Sequence, residues 1–357
     1  MSDQIKIRES IRNLPGYKAG AKATAISGLT PYKLSSNENP IEPLPSVVDV
    51  IAEVGLHINR YPDPLAFELT SAIAQHCKVD VDAVATGTGS VGVCQQIVQA
   101  LCDADDEVIF AWRSFEAYPI ITEIAGAKSV KVPLNDHAEH DLDAMLQAIT
   151  DKTKLIFICT PNNPTGTVVR HKELLEFLKL VPASVLVVID EAYIEFNRDP
   201  EAVDGLEILK TFPNVGLLRT FSKAYGLAGL RVGYFVGPRN VADAVRKTAV
   251  PFGVSNVAQV AAVESLARSD ELMERVNAVV ARREWFEGEL HNLGFNIPAS
   301  QANFVWLALK ERSMEFAQRC NDVAVAVRPF DGEGVRISIG EQEALIRVLE
   351  ILKQYSI

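Results

Sequence analysis

An α/β fold is the expectation for this chain, and three observations lead to it. Beyond Pro62-Asp63-Pro64, short apolar runs of strand length alternate with stretches of helical spacing, which argues a mainly parallel sheet covered by helices on both faces. After about residue 250 this texture gives way to a long helical tract and a few further strand-length runs. At 357 residues the chain is also too long for one simple core, so a large domain with a smaller one is the prior.

Taken in order, residues 1–36 read as an extended arm with short helical pieces, broken at Pro15-Gly16 and Thr30-Pro31. Apolar spacing predicts a helix over 46–57, ahead of the prolines at 62 and 64. Strands are expected at 107–111, 129–133, 155–159, 185–189, 215–218 and 232–236, with helices at 92–102, 116–125 and 171–180 among them. The tract 270–293 sets Arg275, Arg282, Arg283, Glu284, Glu287 and Glu289 among spaced apolar residues, as a solvated helix face does. Runs at 304–309, 323–327 and 335–339 and a last helix over 341–355 make up a smaller α/β unit. No internal repeat or low-complexity linker occurs, so the two parts are expected to pack closely.

Lys plus Arg number 35 against 46 Asp plus Glu, a net charge of −11 that argues against general affinity for nucleic acid or anionic lipid. An anionic small molecule would need a local cluster of arginines. The five cysteines, at 77, 94, 102, 159 and 320, form no Cys-x-x-Cys pair. That spacing speaks against a metal site or a disulfide framework and fits a reduced, cytoplasmic setting. No run reaches the roughly 20 apolar residues of a membrane span, and the first twelve residues lack the apolar core of a signal peptide.

The most informative segment is Phe221-Ser222-Lys223, at the end of an apolar run, with Arg231 eight positions on. An amine bonded to an aldehyde cofactor, with a hydroxyl and a guanidinium left for a phosphate, would use these groups, and pyridoxal phosphate needs both. An ordinary loop lysine is the alternative. Gly87-Thr88-Gly89-Ser90-Val91-Gly92 opens a helix, where free amides and the dipole favour an anion. Its spacing also fits a dinucleotide fingerprint, but that fold needs an acid at the end of the next strand, and here the acids 103–107 precede it. A phosphate cradle survives this test, beside a plain glycine turn.

Asp190 ends the run 185–189, at the strand edge where open α/β sheets bind ligands. It can hold a pyridine nitrogen protonated or cap a helix, and Tyr193 is a donor for a phenolate oxygen. Asn163, fixed by Pro164, comes just after the run 155–159 and offers the same oxygen an amide, or simply makes a turn. Arg336 stands in an apolar strand, where its guanidinium needs an anion: a substrate carboxylate or a protein one.

In this order along the chain, the motifs resemble those of fold-type I pyridoxal-phosphate aminotransferases, in the branch of histidinol-phosphate and aromatic amino acid aminotransferases. The likeness runs from Leu14-Pro15-Gly16-Tyr17 and Ser36-Asn37-Glu38-Asn39-Pro40 through Asn59-Arg60-Tyr61-Pro62 and Asn163-Pro164-Thr165-Gly166. It continues in Asp190-Glu191-Ala192-Tyr193 and Arg219-Thr220-Phe221-Ser222-Lys223, and ends at Val335-Arg336-Ile337-Ser338-Ile339-Gly340. The resemblance implies an arm over 1–36 that packs on the small domain and the partner subunit, a cofactor domain over 37–249 and a small C-terminal α/β domain over 250–357; the large domain is a mainly parallel seven-stranded sheet between helices. It implies that Lys223 carries pyridoxal 5'-phosphate covalently and moves the substrate proton. Asp190 would face the ring nitrogen, Asn163 and Tyr193 the phenolate, and Thr88, Gly89, Ser90, Ser222 and Arg231 the phosphate. Phe115 would stack on the ring. Tyr61 would reach the partner subunit's phosphate in a homodimer, and Arg336 would clamp the substrate with Arg328, Tyr17 and Asn37 close by.

The substrate reading rests on two positions. The segment Val250-Pro251-Phe252-Gly253 lacks the tyrosine common in histidinol-phosphate enzymes, and Phe115 stands where tyrosine is frequent. Both changes remove a hydroxyl, which favours a phenyl or phenol ring over an imidazole with a dianionic phosphate arm. The expectation is ping-pong transamination of phenylalanine and tyrosine with 2-oxoglutarate, and Phe252 belongs to the substrate pocket. Histidinol phosphate is the second substrate reading. A phospho-amino-acid decarboxylase, a nicotinamide dehydrogenase and a non-catalytic ligand sensor are more remote.

Overall fold

Residues 5–355 are described by the structure, a computed structural model. A two-residue strand in the arm, β1 (Tyr32–Lys33), precedes seven strands of one sheet. These are β2 (Val84–Gly87), β3 (Glu107–Trp112), β4 (Lys128–Pro133), β5 (Thr153–Cys159), β6 (Leu186–Asp190), β7 (Val215–Thr220) and β8 (Gly233–Val236). Their spatial order is β2-β8-β7-β6-β5-β3-β4. Strands β4, β3, β5, β6 and β7 run parallel, whereas β8 is antiparallel to both of its neighbours. The expected mainly parallel seven-stranded sheet is therefore present. Its one reversal arises because β7 and β8 are joined through a loop and a short 3₁₀ turn, Ala228–Leu230, with no crossover helix.

The central strands are apolar throughout because helices cover both faces. Alternate residues of β5, β6 and β7 enter two separate cores: Ile156, Ile158, Val187, Ile189 and Leu217 on one side, Leu155, Phe157, Leu186, Val188 and Leu218 on the other. The second core is closed by Val93, Cys94, Ile97 and Val98 from the helix Gly89–Leu101. That helix begins three residues earlier than its apolar pattern suggested, since its first turn, Gly89-Ser90-Val91-Gly92, carries a single apolar side chain between two glycines. Helix Asn256–Ala267 packs on Pro45–Val54 and Phe67–Cys77.

The rest of the C-terminal part is built on β9 (Phe304–Leu307), β10 (Val325–Ala326), β11 (Arg328–Phe330) and β12 (Gly334–Ser338). Strands β11, β12 and β9 form an antiparallel sheet, in which Arg328 lies directly opposite Arg336. The single run expected over 323–327 is in fact β10, and Pro329 lies in the next strand at an edge, where its missing N–H is tolerated. Strand β10 pairs with β1, so the arm is tied to this part by Tyr32 N–H to Ala324 O at 2.8 Å and Leu34 N–H to Ala326 O at 2.7 Å. Among the described residues no helix is long and apolar enough to cross a membrane.

Candidate active site

Parallel strands end at one edge of the sheet, and the loops leaving them gather there. The turn after β5 delivers Asn163, β6 ends on Asp190, and the turn after β7 delivers Ser222 and Lys223. The loop after β3 brings Phe115 and Glu116 to the same edge. From the other part, β11 and β12 supply Arg328 and Arg336, the arm supplies Tyr17, and the residue just after it is Asn37. Together these residues line a cavity of about 470 Å³. Its lining includes five cationic side chains, Lys18, Lys223, Arg231, Arg328 and Arg336, inside a protein of net charge −11.

Lys223 is half-buried on the cavity wall and its Nζ donates to the Ser36 carbonyl at 3.1 Å. Burial, then the positive charges of Arg336 and Arg231 against the opposing Glu38, lower its pKa to about 7. This is no ordinary loop lysine. Asp190 is buried, and its Oδ2 accepts from the Tyr118 hydroxyl at 2.6 Å. Its Oδ1 accepts from the Ala192 N–H at 3.2 Å. Burial raises its pKa to about 6, while the Tyr118 hydrogen bond pulls the other way. Tyr118 was not anticipated. It stacks on Phe157 with ring centroids 4.5 Å apart and meets Phe115 edge-on at 5.5 Å. Phe115 precedes Tyr118 by three positions, and that spacing was the only signal available for it.

Tyr193 is buried and its hydroxyl accepts from Asn37 Nδ2 at 3.0 Å. Asn37 sits at φ 54°, held by Ser338 on its N–H at 2.8 Å and on its side chain at 2.9 Å. Arg336 donates to Asn163 Oδ1 and to the Ser35 carbonyl at 2.8 Å, neither of them charged. Its Nε has no partner among the described residues, and burial lowers its pKa. A buried guanidinium without a protein carboxylate favours the substrate-clamp reading over a structural ion pair. Arg328 differs, because Glu116 pairs with it through both oxygens, at 3.0 and 2.8 Å.

Near the start of helix Gly89–Leu101, Arg231 donates to Ser222 Oγ at 3.2 Å and to the Ala228 carbonyl at 3.0 Å. Gly89 has φ +76°, and a Cβ there would stand 2.3 Å from Arg231 Nη2. A Cβ on Gly233 would stand 2.5 Å from the Ser90 nitrogen. Backbone amides, a hydroxyl and a guanidinium with only neutral partners thus share one tight corner, which fits a phosphate. Ser90 lines the main cavity with them. Thr88 and Phe252 do not; they face a neighbouring depression together with Gly92 and Val250. Tyr61 is 81% exposed and stacks on Phe252 at 4.6 Å.

These groups gather at one sheet edge and form the candidate active site. The aminotransferase class I and II family matches residues 30–352, and the chain belongs to that family. It is 55% identical over 350 residues to the aromatic amino acid aminotransferase of Streptomyces avermitilis, covering 98% of this chain and 97% of that one. The aromatic amino acid aminotransferase of Thermobifida fusca is 50% identical over 349 residues, with 98% and 97% coverage. In structure the chain is similar to histidinol-phosphate aminotransferase from Sinorhizobium meliloti, solved in complex with pyridoxal-5'-phosphate. The TM-score is 0.86 at 26% identity, over 99% of this chain and 98% of that one.

Proposed function

We propose that this enzyme transaminates phenylalanine and tyrosine, with pyridoxal 5'-phosphate as cofactor and 2-oxoglutarate as amino acceptor. The observation that carries the chemistry is the lowered pKa of Lys223 in a cavity shared with Asp190, Asn163, Arg231 and Arg336. The aromatic substrate is supported by the two relatives at 55% and 50% identity and by Phe115 on the cavity wall.

Pyridoxal phosphate, when bound, supplies an aldehyde for amine exchange and a ring that accepts electron density from the substrate Cα. In this reading Arg231, Ser222, Ser90 and the Gly89 amide hold its phosphate, Asp190 its ring nitrogen, and Asn163 and Tyr193 its phenolate oxygen. Arg336 grips the substrate carboxylate by two parallel hydrogen bonds and fixes the Cα. Lys223, part neutral at pH 7, takes the Cα proton as a general base and returns it as an acid. Phe115 and the Tyr118 ring behind it keep water from the reacting face. Thr88 and Phe252 line the neighbouring depression, with Tyr61 stacked on Phe252, and we assign all three to a site completed across a homodimer. Exposed Leu56, Ile58, Leu65, Phe67 and Val250 in the same two segments support such a contact. The domain limits 37–249 and 250–357, with the arm 1–36, are part of the same proposal.

The test is a comparison of phenylalanine, tyrosine and histidinol phosphate as donors, with Lys223→Ala as control. Phenylalanine and tyrosine should lead, and the alanine variant should lose turnover and the borohydride-sensitive visible band. Preference for the phosphorylated donor would overturn the substrate, and an active alanine variant the chemistry.

A further inference from the structure

Two arginines face the cavity from directly opposite positions on β11 and β12, and like charges so placed repel. The structure treats them differently. Among the described residues Arg336 has neutral partners and none for its Nε, whereas Arg328 is held through both oxygens of Glu116. Glu116 comes from the loop after β3, 212 positions away in sequence. It stands at the N-cap of helix Ala117–Ala125, yet its side chain makes no capping bond; the carboxylate is given to Arg328 instead. The pair is well shielded, with side chains 12% and 27% exposed. Its negative charge also reaches Arg336, whose positive form Glu116 favours and Arg328 disfavours.

We propose that Glu116 is a specificity-determining residue: with Arg231 in the phosphate corner, the occupation of Arg328 by Glu116 leaves Arg336 as the one guanidinium free for the substrate, and so selects amino donors with one anionic group. This rests on the proposed transamination of aromatic amino acids and names the device that enforces it. An amino acid with a neutral ring satisfies Arg336 and leaves the pair closed. A substrate with a second, distal anion must open the pair and strand the Glu116 carboxylate in a shielded site. The same holds for a dicarboxylic acceptor, which binds at the expense of that pair.

The experiment compares the holoenzyme with Glu116→Gln, which keeps the shape and removes the charge. Two probes are titrated by calorimetry, 3-phenylpropionate with one carboxylate and glutarate with two. In the variant glutarate should bind about tenfold more tightly, while 3-phenylpropionate stays within about threefold. The KM for 2-oxoglutarate should fall and the ratio of kcat/KM for histidinol phosphate over phenylalanine should rise about tenfold. Adding Arg328→Gln should abolish the gain. Glutarate binding that is unchanged or weaker in the variant, or a gain that survives loss of Arg328, would overturn the proposal. If the glutamine variant does not fold, Glu116→Ala is read in the same way. A wild-type enzyme inactive on phenylalanine would sink the functional reading alone, because the calorimetric arm needs no turnover.

Discussion

Cofactor uptake by the cofactor-free protein reports directly on the Lys223 amine, because only its neutral form attacks an aldehyde. With a pKa of about 7, about half of the lysine is neutral at pH 7. An unperturbed lysine would be neutral in only about 3 molecules in 10,000 at that pH. The cavity therefore raises the reactive fraction about a thousandfold, first by burial and then by the charges of Arg336 and Arg231. Mixing cofactor-free protein with pyridoxal phosphate in a stopped-flow instrument, from pH 5.5 to 9.5, should show a rate that climbs about tenfold per pH unit and levels off above about 7. The sign comes from the depressed value: protons leave the amine earlier than in solution, so reactivity appears at lower pH. Arg336→Gln removes a positive neighbour and should move the plateau upward. A rate still climbing steadily through pH 9 would refute the argument, as would an Arg336→Gln plateau at or below that of the wild type.

Tyr118→Phe keeps the ring on Phe157 and removes the donor to Asp190. The Asp190 pKa, already raised to about 6, should rise further, the acid limb of kcat should move toward neutral pH and kcat should fall about tenfold, with the phenylalanine KM little changed. Gly89→Ala combines an unfavourable φ of +76° with a Cβ that pushes the Arg231 guanidinium away; the fold should lose about 1 kcal/mol and cofactor Kd, read by fluorescence, should rise about tenfold or more.

What could be read from the sequence, and what could not, divides along a physical line. Asn163, Asp190, Ser222 and Lys223 each lie within a few residues of the end of a buried apolar run, so strand periodicity alone places them at one sheet edge. Arg336 was legible as a charge in an apolar strand, but its lack of a carboxylate partner was not, since partners come from chain folding. The reversal of β8 left no mark either, because its four residues are buried alike whichever way it runs. Tyr118 and Glu116 belong to the same limit. Both lie on or beside a helix whose apolar spacing was plain, yet their partners, Asp190 and Arg328, are 72 and 212 positions away. The β11–β12 register sets the sheet face on which Arg328 stands, and a one-residue slip there would turn it to the other face. The reaction is thus written in short local motifs, each next to its strand. In the reading proposed above, the choice of substrate is written in contacts between distant elements, so that one side chain can change it while every motif for the chemistry stays in place.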